Sequence, residues 1–154
     1  MDCSWLEDKF ENLKLNPSHY EGKSPVDWCY NCIAYAMGKT DKRWWPATFG
    51  SYKWPKKLPR QKPGKETLSN FISAFKRLRY NVLPTKDYSL EPGFEKVAIY
   101  VKGNENPTHA ARLLPSGIWA SKIGNEEDIE HFSPADLEGS EYGTVAVVMR
   151  RPIR

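Results

Sequence analysis

Cysteine is scarce: the chain has three in 154 residues. So few, and an odd number, exclude a disulfide framework. Long apolar runs are missing too. Nothing approaches the roughly 18 residues that a membrane-crossing helix needs. The opening stretch, MDCSWLEDKFENLKLN, lacks a basic region followed by an apolar one, so no secretory leader is expected. There are no internal repeats and no low-complexity segments. These absences point to a cytoplasmic protein of a reducing compartment, with no membrane partner. The hydrophobic fraction of 40% and aromatic fraction of 13% exclude a disordered chain and suit one domain, residues 1–154.

Acid is the missing charge in one place. Between Lys39 and Lys65 there are nine Lys or Arg and a single carboxylate, Asp41. Outside that segment the balance reverses, to 14 basic against 18 acidic residues. The net +4 is therefore local, which argues against a uniform coat for nucleic acid.

The pattern of apolar residues gives the elements. Trp5 to Leu15 reads as one short amphipathic helix, stopped by Asn16-Pro17. Asn31 to Met37 reads as a buried helix, with Gly38 placed to end it. RWWPATFGSYKWPKKLPRQKPGK, with four prolines, cannot stay regular, yet its Trp44, Trp45, Phe49, Tyr52 and Trp54 must be housed. A helix opening at Glu66 or Thr67 presents Leu68, Phe71, Ile72, Phe75 and Leu78 on one face. Glu95–Lys102 reads as a strand, THAARLL and GIWASK as a hairpin, and GTVAVVMRR as the last strand. Helices followed by at least four mostly antiparallel strands make an α+β fold.

Cys29 and Cys32 stand in a C-x-x-C spacing within VDWCYNCIAYAMG. Four chemistries compete. Structural zinc would take both cysteines with His109 and His131, but those histidines lie 22 residues apart, unlike a finger. A redox dithiol needs an apolar strand just upstream, where the chain instead has the polar NPSHYEGKSPVD. Two small buried hydrophobes is the plainest reading. The fourth is a single nucleophile: Cys32 at a helix start, where free N–H groups favour a thiolate. Its base would come from elsewhere in the fold, and His109, at a strand start beside Ala110 and Ala111, is the candidate.

A Cys at a helix start, then a sheet whose early strand carries His, resembles the papain-like thiol hydrolases, the compact NlpC-type peptidases above all. Tyr20, Gly22, Pro25 and Cys32 match their spacing, while Asn31 stands where an Asp is usual and the Ser-Gly after the Cys is missing. The chain also resembles an uncharacterised bacterial domain family, through NCIAYAMG, RWWP, THAARLLPSGIWASKIG, DIEH and YGTVAVVMRRP. The first resemblance implies a papain-like core, N-terminal helices packed on the sheet, and a Cys-His pair.

The register of the hairpin decides what orients His109. A two-residue turn at Pro115-Ser116 sets His109 opposite Lys122; a three-residue loop sets it opposite Ile123 and brings Ser121 to its face. His131 or Asp128 could serve from the next segment, and His131 is the choice. Asn31 is a candidate oxyanion donor, and equally an ordinary helix cap.

The expected protein is thus a cysteine-dependent hydrolase (peptidase, amidase or deamidase) acting on a peptide or protein. Cys32 attacks, His109 and His131 assist, and no cofactor is needed. Its rival is a catalytically inactive binding module of the same fold. That module takes an acidic ligand or nucleic acid on the Trp-rich basic surface of Lys53, Lys56, Lys57, Arg60, Lys62 and Lys65.

Overall fold

The computed structural model describes residues 4–24, 27, 29–48, 50–123 and 127–153. Pro25, Val26, Trp28 and Phe49 of the motifs above lie outside the described residues.

The N-terminal apolar periodicity yields two helices where one was expected, α1 at Leu6–Lys9 and α2 at Glu11–Leu15. They break at Phe10, whose backbone is extended at φ −121°, ψ 104°. The break lets Leu6, Phe10 and Leu13 all bury completely in one core. Pro17 then starts a short 3-10 turn, and Tyr20–Ser24 forms strand β1. Sequence reasoning missed this strand, because EGK in its centre carries no apolar signal.

Helices α3 (Cys32–Ala36) and α4 (Leu68–Lys76) follow, capped by Asn31 and Thr67. Then come β2 (Asn81–Val82), β3 (Phe94–Lys102), β4 (Asn106–Leu113), β5 (Trp119–Lys122), β6 (Asp128–His131) and β7 (Thr144–Pro152). The strands form one sheet in the order β1-β6-β5-β4-β3-β7-β2, with every pairing antiparallel. The α+β class holds, with strand β1 preceding α3 and α4.

Both faces of this sheet are covered. Along β3 and β4, Ala98, Tyr100, Ala111 and Leu113 join Leu6, Phe10 and Leu13 in one core, beneath α1 and α2. Val97, Ile99 and Ala110 join Cys32, Ile33, Phe71 and Phe75 in a second core, beneath α3 and α4. Full burial of Phe71 or Phe75 is worth about 1.5–3 kcal/mol each. Neighbouring strand residues therefore serve different cores, as the period of two dictates.

Bulges in β3, at the Ile99/Tyr100 and Tyr100/Val101 steps, bring in the chain around Gly143. Gly143 has φ +78°, and a Cβ there would lie 2.0 Å from the Val101 carbonyl oxygen. Only glycine fits that approach.

Candidate functional site

Cys32 is the first residue of α3. The cap is Asn31, whose Oδ1 accepts from the Ala34 amide at 3.1 Å. Asn31 is fully committed elsewhere too: Oδ1 accepts from the Trp44 amide at 3.0 Å, and Nδ2 donates to the Trp44 carbonyl at 2.8 Å. It ties the helix start to the Trp-rich segment, and its amide is not directed at an oxyanion.

The Cys32 side chain is buried at 6% exposure, among Ile33, Ala110, Ile99 and Phe71. Burial pushes its thiol up to about 11, only partly offset by the backbone amides of Ala110 and Ile33. A helix of five residues has little dipole to set against that desolvation.

His109 is not brought to Cys32. Register pairs Tyr100 with His109 and Ile99 with Ala110. Tyr100 belongs to the α1/α2 core, and Ile99 and Ala110 to the core holding Cys32. The imidazole consistently lies against Tyr100 and Tyr142, its ring stacked 4.2 Å from Tyr142 with only 4° between planes. The sheet stands between thiol and imidazole. The same separation parts Cys32 from His109 and His131 as ligands of one ion.

What His109 does meet is Ser121. Arg112 pairs with Ala120 and Leu113 with Trp119, which makes Pro115, Ser116 and Gly117 a three-residue loop. That is the register that carries Ser121 to the histidine's face. A hydrogen-bonded chain results. His131 Nδ1–H donates to the Ser133 carbonyl at 2.9 Å, leaving Nε2 to accept from the Ser121 hydroxyl at 2.8 Å. Ser121 Oγ in turn accepts from His109 Nε2–H at 3.0 Å. His109 Nδ1 is buried and has no partner among the described residues. All three side chains are fully buried. Burial holds His131 down to about 4 and His109 well below the usual range, the neighbouring His131 adding to the latter. Both imidazoles are neutral at pH 7, and the chain acts as a polar staple joining β4, β5 and β6.

The face shared with Cys32 carries different chemistry. Lys122, wholly buried, lies 3.9 Å from Asp128 Oδ1, with its Nζ 4.5 Å from the Tyr30 ring centre. The Tyr30 hydroxyl donates to Asp128 Oδ2 at 2.8 Å. Tyr30 was not anticipated, since nothing in DWCYNC distinguishes it from packing. Cys29 is exposed, and its thiol is raised through a hydrogen bond with Asp27.

The Trp-rich segment divides its residues cleanly. Trp54 is buried, its ring tilted against Phe71 with centroids 5.1 Å apart, and donates Nε1–H to Asn70 Oδ1 at 3.2 Å. Trp45 meets Phe71 edge-on at 5.1 Å. Asn70 also donates to the Pro59 carbonyl at 2.7 Å, which pins the irregular chain to α4. The aromatic rings therefore serve the core and are not a row of open stacking platforms. The cations face outward: Lys42, Lys53, Lys56, Lys57, Arg60, Lys62 and Lys65 are all exposed. Among the described residues, none of the nine cations of this segment has a carboxylate within 4.0 Å. Elsewhere Lys9, Lys23, Lys96, Lys122, Arg150 and Arg151 are each paired.

The molecule is thus an antiparallel α+β protein with helices on both faces of its sheet, a buried histidine staple and one unpaired basic surface. It belongs to the family described as domain of unknown function DUF7689, whose model matches residues 21–150. No curated protein and no solved structure matches it. Among the described residues no helix is long and apolar enough to cross a membrane.

Proposed function

We propose that this protein is a non-catalytic binding module that holds a polyanionic ligand on the surface of residues 39–65. The observation that carries this is the unpaired charge. Nine cations against one carboxylate, seven of them exposed, repel one another in the free protein. A polyanion relieves that repulsion and releases its own counterions. Because the tryptophans face the core, recognition works through charge and not through stacking on bases.

The competing reading is a thiol hydrolase in which Cys32 attacks an amide or acyl bond with His109 as base. It requires the two side chains within hydrogen-bond reach. Their places on opposite faces of the sheet, and a thiol held near about 11, weigh against it.

Fluorescence anisotropy with a labelled inorganic polyphosphate tests the proposal. If about four phosphates are neutralised, affinity should fall roughly a hundredfold between about 50 and 200 mM salt. Changing Lys53, Lys56, Lys57 and Lys62 together to Ala should remove most binding and most of the salt dependence. Unchanged binding in a folded quadruple variant would refute the assignment of this surface.

A further inference from the structure

At the end of the sheet where β3 begins and β4 ends, a cavity of about 130 Å³ opens beside α3. Ala36, Gly38, Tyr80, Arg112, Leu113 and Pro115 are among the residues that line it. By the share a water takes in the liquid, that is room for about four waters.

Arg112 distinguishes this cavity. It projects from β4 to the α3 side, its guanidinium 4.4 Å from the Tyr35 ring centre. The side chain also hydrogen-bonds Tyr35, but its Nε is buried and has no hydrogen-bond partner among the described residues. No carboxylate of the described residues lies within 4.0 Å of it.

Three neighbouring cations are paired. Lys96 lies 3.5 Å from Asp87 and 3.6 Å from Glu91. Arg150 pairs with Glu91, and Arg151 with Glu95. Glu95, Lys96 and Arg151 line the cavity beside Arg112, and of these cations only Arg112 has no carboxylate within 4.0 Å among the described residues. A buried guanidinium N–H without an acceptor is costly, and buried polar groups in native proteins are nearly always paired. The planar fork of arginine is matched best by two oxygens of one oxyanion.

We propose that this cavity is a binding site for a small monocarboxylate, held by the Arg112 guanidinium with its carbon end against Ala36, Leu113 and Pro115. The carboxylate of Glu95 on the wall disfavours a phosphate dianion, and the apolar walls favour an organic acid. The site is separate from the basic surface and does not rest on the polyanion reading.

The test is a nitrogen-15 NMR titration that follows the Arg112 Nε–H and the amides of Gly38 and Leu113, with acetate as probe and chloride at equal ionic strength as control. Acetate should shift these signals saturably, chloride should not, and phosphate should bind more weakly than acetate. Arg112→Lys, which keeps the charge but loses the fork, should weaken acetate binding at least tenfold while the protein stays folded. Arg112→Gln should abolish it. A response that does not saturate, an equal response to chloride, tighter binding of phosphate, or full acetate affinity in the folded Arg112→Lys protein would each overturn the proposal.

Discussion

Acid should unfold this protein earlier than its carboxylates would dictate. An unfolded histidine titrates near 6.5. In the fold His131 is held down to about 4 and His109 well below its ordinary value, both because burial disfavours the cation. Between those values and 6.5 the unfolded chain binds protons that the native chain refuses. The stability contributed is therefore complete above about pH 6.5 and lost as pH falls below it. Each group contributes a slope of about 1.4 kcal/mol per pH unit. Over the two units from about pH 6.5 to 4.5 the pair removes roughly 5 kcal/mol, as much as the whole stability of a marginal domain. Urea denaturation followed by tryptophan fluorescence should show the midpoint falling by about 2–4 M across that window. Glu11, Asp27 and Asp87 have lowered pKa values, through hydrogen bonds to Ser140, Cys29 and Ser89. Whatever they contribute is lost only below about pH 4, so the two effects separate. A His131→Gln variant, whose amide offers both a donor and an acceptor, should lose about half the slope. A midpoint that stays level from pH 6.5 to 5, or imidazole proton signals of His109 and His131 that titrate near 6.5, would refute the reasoning.

Other consequences can be checked alongside. Ser121→Ala leaves His109 Nε2–H and His131 Nε2 buried without partners. It should cost about 2–5 kcal/mol and lower the melting temperature by about 5–15 °C at neutral pH, where a shift near zero would show that the histidine chain is not a staple. With Cys3 replaced by Ser, brief iodoacetamide treatment at pH 7 should label Cys29 and spare Cys32. A thiol near about 11 is roughly one part in ten thousand thiolate at that pH, and a faster Cys32 in mass-spectrometric mapping would revive the nucleophile. Gly143→Ala places its Cβ against the Val101 carbonyl and should fail to give a cooperative thermal melt, so a native-like transition would show the bulge to be adaptable.

Much of the fold was legible, and the reason is local. The apolar face of α4, the Thr67 and Asn31 caps, and the proline stop after α2 all rest on interactions within a few residues. The three strands with the strongest apolar signal, β3, β4 and β7, lie where the pattern put them. Strands β1, β2 and β6 were not legible. Tyr20–Ser24, half-exposed, and Asn81–Val82, exposed, are short strands at the sheet's two edges, held by neighbours distant in sequence. Asp128–His131 reads as acidic loop, and becomes strand because Ile129 and His131 reach the core while Asp128 meets Lys122 and Tyr30. The placement of the tryptophans was legible in part. Their need for housing followed from composition, but Asn70, which anchors Trp54 and Pro59, shows in the sequence only as a polar residue in a helix.

The candidate site turned on something the sequence does not record. Cys32 starts a helix and His109 sits near the start of a strand, as spacing suggested; what parts them is parity along β4. A strand with one wet face announces its parity by alternating polar and apolar residues. Here both faces are covered, so HAARLL and WASK show no alternation to read. His109 and Ser121 are as deeply buried as Ala110 and Ala120 beside them. A polar residue in such a strand survives only where its own face supplies partners. For His109 that face holds Ser121 and His131; for Lys122 it holds Asp128 and Tyr30. Each polar side chain meets neighbours on its own side, so the two sets form independently and neither needs the other's chemistry. A thiol on the Lys122 side, packed under Ala110, therefore has no imidazole to ionise it. The arrangement keeps Cys32 in the core, and leaves the cations of residues 39–65 and Arg112 as groups without a carboxylate partner among the described residues.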